Sequence, residues 1–243
     1  MNKKYLLLLI LLVLNLPLLA GNNEKAKDAL IALFNSFASA DSYSYNIQSS
    51  TKINRVSIDT FKNDLIQTNA IYYFSKSKHV SYYSSKDRIF LSCKLGYFNC
   101  DEQKKLISYC LFDDDSAYQN YIKHNQDSDA FSNLDSDFFN QSEVTLKNKG
   151  LLNYYKVNYP KSLHGDYIKI LYNPRRQMLE SINYFITQQT ESGVIVKHHV
   201  VLNHYSIHEP IALQALLLSI GGDLKTFLNK HYSDYTLVNT NGL

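Results

Sequence analysis

Four of the eight histidines, His198, His199, His204 and His208, fall close together near the end of the chain, and imidazole is a common metal ligand. On an extended strand His198, His204 and His208 share one face. At ~3.3 Å per residue, however, His204 and His208 stand about 13 Å apart, too far for one ion with ~2 Å bonds. Only a bend before Glu209-Pro210 would bring them together, so the expectation is histidines on a long strand and no metal.

Cysteine offers a second chemistry. Cys93, Cys100 and Cys110 allow one disulfide and one leftover thiol in an oxidising compartment. If "CKLGYFNCDEQKKLISYC" is one hairpin turning over residues 100–103, Cys93 faces Cys110. Directly opposed strand residues have Cα atoms ~4.5–5.5 Å apart, within disulfide range. A Cys93–Cys110 bridge is therefore expected. Zinc fits worse, because Cys spacings of seven and ten match no usual ligand pair.

Other constellations nominate no catalyst. The sequence holds no G-x-S-x-G, H-E-x-x-H or G-x-x-x-x-G-K-[ST]. Gly221-Gly222-Asp223 reads as a helix stop rather than an anion cradle. Asp135 and Asp137 sit in a polar stretch without apolar neighbours to raise a pKa. A calcium loop beginning at Asp113 or Asp127 lacks the required combination of Gly at position 6 and Glu at position 12. No cofactor, no metal and no catalysis are expected.

The elements that would position a site begin after a leader. Asn2, Lys3 and Lys4 precede the apolar run Leu6 to Leu14, followed by Pro17, Ala20 and Gly21, the layout of a secretory signal peptide over residues 1–20. The run is too short for a bilayer span. Asn22 stands where a lipoprotein carries its acylated cysteine, so release into the periplasm or medium is expected. Without Lys3 and Lys4, 23 of the 25 basic side chains remain against 22 acidic ones. Such a balance argues against nucleic acid as partner.

Ala26, Ala29, Leu30, Leu33, Phe34 and Phe37 recur at helical spacing opposite Glu24, Lys25, Lys27 and Asp28, which predicts an amphipathic helix. From Tyr43 the period becomes two. Strands are expected at 43–48, 69–75, 79–84, 88–93, 97–99 and 106–112, then at 151–159, 167–172, 178–188 and 194–207, with turns at Asn173-Pro174-Arg175-Arg176 and Glu191-Ser192-Gly193. Twenty tyrosines and no tryptophan suit half-buried strands. Residues 113–141 read as a polar insertion with a short helix near 116–123. Pro210 opens a helix over 211–220, Gly221-Gly222 closes it, and Asp223 starts a second through Lys230, giving a helical extension over 210–243. One α+β domain over 21–243 is expected.

The order of leader, amphipathic helix, Tyr-rich strands and helical insertion, with "GDYIKILYNPRRQMLESINYFI" and "VIVKHHVVLNHYSI", resembles the LolA-like, or outer-membrane lipoprotein-sorting-like, envelope proteins of Gram-negative bacteria. The likeness covers roughly residues 24–208. It implies a curved, unclosed antiparallel sheet, a half-barrel, with the N-terminal helix and the C-terminal helices packed on it and an apolar hollow for acyl chains. In this chain Leu30, Leu33, Phe34 and Phe37 would line that hollow. The function expected is non-catalytic binding of an acylated or apolar ligand, a lipid or lipoprotein, between sheet and helices. The alternative is a module docking another envelope protein through a Tyr-rich sheet face carrying Tyr154, Tyr172 and Tyr184.

Overall fold

The 3.6-residue period that ends near Ala40 marks the end of a first helix, α1 (residues 23–37), and the alternation after it becomes strand. A computed structural model describes residues 23–37, 39–56, 61–125, 134–162, 164–176, 178–190, 194–206 and 208–240. The leader over 1–20, Asn22, Asp127 and the turn at 191–193 lie outside the described residues. Strands follow as β1 (Ser42–Val56), β2 (Phe61–Ser75), β3 (Val80–Ser85), β4 (Arg88–Cys93), β5 (Gly96–Asp101) and β6 (Leu106–Leu111). Helices α2 (Asp115–Asn125) and α3 (Ser136–Gln141) precede β7 (Glu143–Lys149), β8 (Leu152–Asn158), β9 (Tyr167–Asn173), β10 (Met178–Gln189) and β11 (Ile195–Ser206). The chain closes with α4 (Ile211–Ile220), α5 (Leu224–His231) and β12 (Thr236–Asn239).

The protein is α+β, with an unclosed, mostly antiparallel sheet in the order β12-β6-β5-β4-β3-β2-β1-β11-β10-β9-β8-β7. Where the sequence predicts one domain, the chain divides into two compact units. The first holds Met1–Ser39 and Ala130–Thr187, the second Ala40–Asp129 and Gln188–Leu243.

In the second unit, β1 and β2 pair from Ser42↔Ser75 to Val56↔Phe61. Register then aligns Tyr73, Tyr82, Leu91, Phe98 and Tyr109 across β2 to β6 on one face. These side chains are buried with Leu213 and Ile220 of α4 and Leu224, Phe227 and Leu228 of α5 in one core. The start and stop residues work as the sequence predicts. Pro210 stands immediately before α4 in extended conformation, Gly221 ends the helix at φ 59, and the Asp223 carboxylate accepts from the Thr226 N–H at 2.9 Å to begin α5. That hydrogen bond, with one from the Thr226 hydroxyl, holds the Asp223 carboxyl below the usual carboxylate range.

Four expectations are corrected in this unit. The tail after Pro210 is not wholly helical, because β12 adds parallel to β6 with Thr236 opposite Leu106. Helix α2 is longer than residues 116–123, and its start is capped by Asp114, which accepts from the Ala117 N–H at 2.8 Å. Both β1 and β2 run to 15 residues, more than twice the expected length. The cysteine hairpin is two hairpins: Cys93 of β4 faces Gly96 of β5, and Cys110 of β6 faces Tyr97. With β5 between their strands, Cys93 and Cys110 lie two strand spacings apart, ~10 Å and beyond disulfide reach; all three cysteines are free thiols. Gly96 permits this crowding, since a Cβ there would stand 2.1 Å from the Cys110 carbonyl oxygen.

In the first unit, β7 to β10 form an antiparallel run. Val144, Tyr155, Val157, Ile168, Ile170, Leu179 and Ile182 share one face and are all buried. Asp135 caps α3 through the Phe138 N–H at 2.8 Å, which gives one of the two predicted carboxylates a structural task. Tyr172 and Tyr184 lie on the buried face, whereas Tyr154 pairs with Leu171 and lies on the other. The proposed common tyrosine face is therefore split.

Candidate apolar ligand site

The predicted lining residues all fall on α1, in the first unit. Ala26, Leu30 and Phe34, spaced by four, are buried at 1, 0 and 4% exposure. Leu33 and Phe37, one step round the helix, are half-buried, and Ala29 is exposed. The stripe is thus narrower than its sequence suggests, with a closed centre and an open margin.

From that margin an aromatic run continues into neighbouring elements. The Phe34 ring centroid is 6.2 Å from Phe37 and 5.3 Å from Phe139 of α3. Phe138 meets Phe139 edge-on at 5.4 Å and Tyr159, just beyond β8, at 5.3 Å. These spacings and tilts are favourable for aromatic pairs. Burial pushes the Tyr159 hydroxyl up to about 12, so it stays a neutral hydrogen-bonding group across the physiological range. The Lys27 ammonium reaches the Asn140 carbonyl at 3.4 Å and Glu24 at 3.4 Å, adding a polar edge where α1 meets α3. Chemically the arrangement offers apolar contact bordered by a few polar groups. The sequence does not point to Phe138, Phe139 and Tyr159 in this role. The "DFF" at 137–139 carries too short a pattern to reveal a helical face.

Elsewhere the described residues supply other features. In the second unit an open depression of about 370 Å³ has polar Asn46, Gln48, Asn69 and Ser84 around Ile47 and Ile71. His198 places Nδ1 3.1 Å from the Thr51 hydroxyl, while His199 lies opposite Ser50 on the alternate face. His204 sits at φ 55 where the β1–β11 register slips, which breaks the alternation that would have aligned it with His198. Among the described residues no three His, Cys, Asp or Glu side chains come together as metal ligands. No single described helix is long and apolar enough to cross a membrane; α4 and α5 reach that composition only together, and they are bent by 104° at the break.

No family model matches the chain, and no curated protein does. Among solved structures, an uncharacterized conserved protein from Thermus thermophilus aligns at 7% identity and a TM-score of 0.41, over 87% of this chain and 98% of its own. A DUF1329 family protein from Desulfovibrio piger aligns at 10% identity and a TM-score of 0.29, over 76% of this chain and 91% of its own.

Proposed function

We propose that this chain is an exported, non-catalytic protein of the cell envelope that binds an acylated or otherwise apolar ligand at the open margin of α1. The observation that carries the reading is the contrast along one helix: Leu30 and Phe34 are closed off, while Leu33 and Phe37 stay half-buried at the head of an aromatic run. An acyl chain laid on the half-buried Leu33, Phe37 and Phe138 would gain about 0.8 kcal/mol per buried CH₂. The leader ending near Ala20 and Gly21, with no thiol at position 22 to acylate, supports delivery of a released protein to the periplasm. Native mass spectrometry of protein purified from the envelope without denaturant tests this. Copurified lipid that disappears on Phe37→Asp supports the reading, and a ligand-free wild-type spectrum that stays unchanged on adding lipid overturns it.

A second reading, docking to another envelope protein, draws on α4 rather than on the tyrosines. Ile211 and Leu218 are 83 and 82% exposed on a helix that carries no charged residue. A photocrosslinker at position 218 that captures one discrete envelope partner would favour it.

A further inference from the structure

The open face of the first unit's sheet carries a feature that the apolar reading does not use. Lys156 of β8 and Lys169 of β9 are directly opposed in the antiparallel register, where like charges ordinarily disfavour pairing. Both are half-buried, and both ammonium groups lean over the same ring: Lys156 lies 4.7 Å and Lys169 5.4 Å from the Tyr167 centroid. Lys169 also lies 4.8 Å from the centroid of Phe185, which stacks on Tyr167 at 4.6 Å. Cation–π contact holds each lysine in place without neutralising it.

No carboxylate does so either. Neither lysine has an ion pair among the described residues. The acids on and beside this face are engaged by other donors. Glu143 accepts from the Asn158 side chain at 2.9 Å. Asp166 takes the Thr187 N–H at 2.7 Å and the Ser162 hydroxyl at 2.9 Å. Two held, like-signed ammonium groups beside a two-ring platform, with no carboxylate paired to either among the described residues, leave N–H donors that an anion would take.

We infer that Lys156, Lys169 and the Tyr167–Phe185 pair form a binding site for an organic phosphate, the lysines contacting its oxygens and the rings its carbon skeleton. Lysine favours this assignment over a planar carboxylate, because an ammonium acts as a point charge suited to a tetrahedral oxyanion, whereas bidentate carboxylate recognition is arginine's strength. The same chemistry is offered by a phospholipid headgroup and by a soluble phosphate ester. The inference stands apart from the α1 reading, and either can fail alone.

The test is titration of the full-length protein with glycerol 3-phosphate, followed by amide shifts, and cosedimentation with phosphatidylglycerol vesicles against phosphatidylcholine vesicles. Saturable binding should fall about tenfold in Lys156→Gln or Lys169→Gln and below detection in the double variant. The exposed-lysine control Lys225→Gln, with the same charge change, should bind as wild type. Lys169→Glu should keep the fold through a cross-strand ion pair with Lys156 and still lose the phosphate, which separates lost binding from lost structure. Saturable glycerol 3-phosphate binding alone indicates a soluble ester, and added retention on phosphatidylglycerol vesicles indicates a headgroup. Absence of binding in both arms, or equal binding by wild type and the double variant, overturns the site.

Discussion

Helices α1 and α5 both carry an apolar stripe in sequence, yet they bury it differently. Helix α5 places Leu224, Phe227 and Leu228 at 2, 5 and 1% exposure in the second unit's core, with Phe227 set 6.4 Å from Phe98 of the sheet. Helix α1 buries Ala26, Leu30 and Phe34 but holds Leu33 and Phe37 half open. A stripe used wholly for stability is closed along its width, because each exposed methylene forfeits transfer free energy. One that stops short retains apolar surface that a ligand can cover. The contrast separates core from candidate lining within one chain.

The largest expected effect is on the core side of that comparison. Phe227→Ala removes a ring packed against Phe98 and Tyr232 and should destabilise the protein by about 3–5 kcal/mol, read from the denaturation midpoint. Leu33→Ala and Phe37→Ala should each cost less, roughly 1–2 kcal/mol, since a half-buried side chain gives up only part of its transfer term. A loss as large as that of Phe227→Ala would make the α1 margin ordinary core and erase the contrast.

A smaller effect concerns how β12 is held against β6. Lys105 donates to the Tyr235 hydroxyl at 2.7 Å, and that hydroxyl donates in turn to Glu102. The Tyr235 hydrogen bond holds the Glu102 carboxyl below the usual carboxylate range. Its contribution is therefore present above that range and lost as the pH falls through the lowered folded value. Glu102→Gln should cost about 1 kcal/mol near neutral pH, a charge-assisted bond discounted for partial exposure, and should flatten the acid limb of the stability–pH curve. An unchanged limb would detach this network from β12.

The smallest change is in thiol reactivity. Burial raises all three thiols, Cys100 to about 12 with Glu102 adding to it. Alkylation of native, unreduced protein at neutral pH should be slow, with three thiols reacting after unfolding. One thiol after unfolding would restore the disulfide and contradict the β4–β5–β6 register.

Much of this architecture is legible in the sequence wherever local chemistry decides it. Pro210, Gly221 and Asp223 delimit α4 and α5 because capping acts within one turn. Tyr43 and Tyr45 signal β1 by alternation, but the strand's continuation through "SSTKINRV" is polar and shows no buried face to detect. Register is harder to read. A one-residue shift moves every partner, so the Cys93–Cys110 pairing depends on a turn position that the actual turns at 94–95 and 102–105 overrule. Strand β12 stays hidden because four residues after a helix carry too little pattern, and its parallel pairing is fixed by β6, far away in sequence. For the candidate site, α1 is visible by its period, whereas the split between closed and half-buried members depends on tertiary neighbours such as Phe139.

The most direct measurement is calorimetric titration of delipidated protein with a long-chain fatty acid, comparing wild type with Leu33→Asp/Phe37→Asp and with Ile211→Ser/Leu218→Ser. Saturable binding is expected for wild type and the α4 variant, and none for the α1 variant, with all three folded by circular dichroism. Binding that survives in the α1 variant, or that vanishes only in the α4 variant, would contradict it.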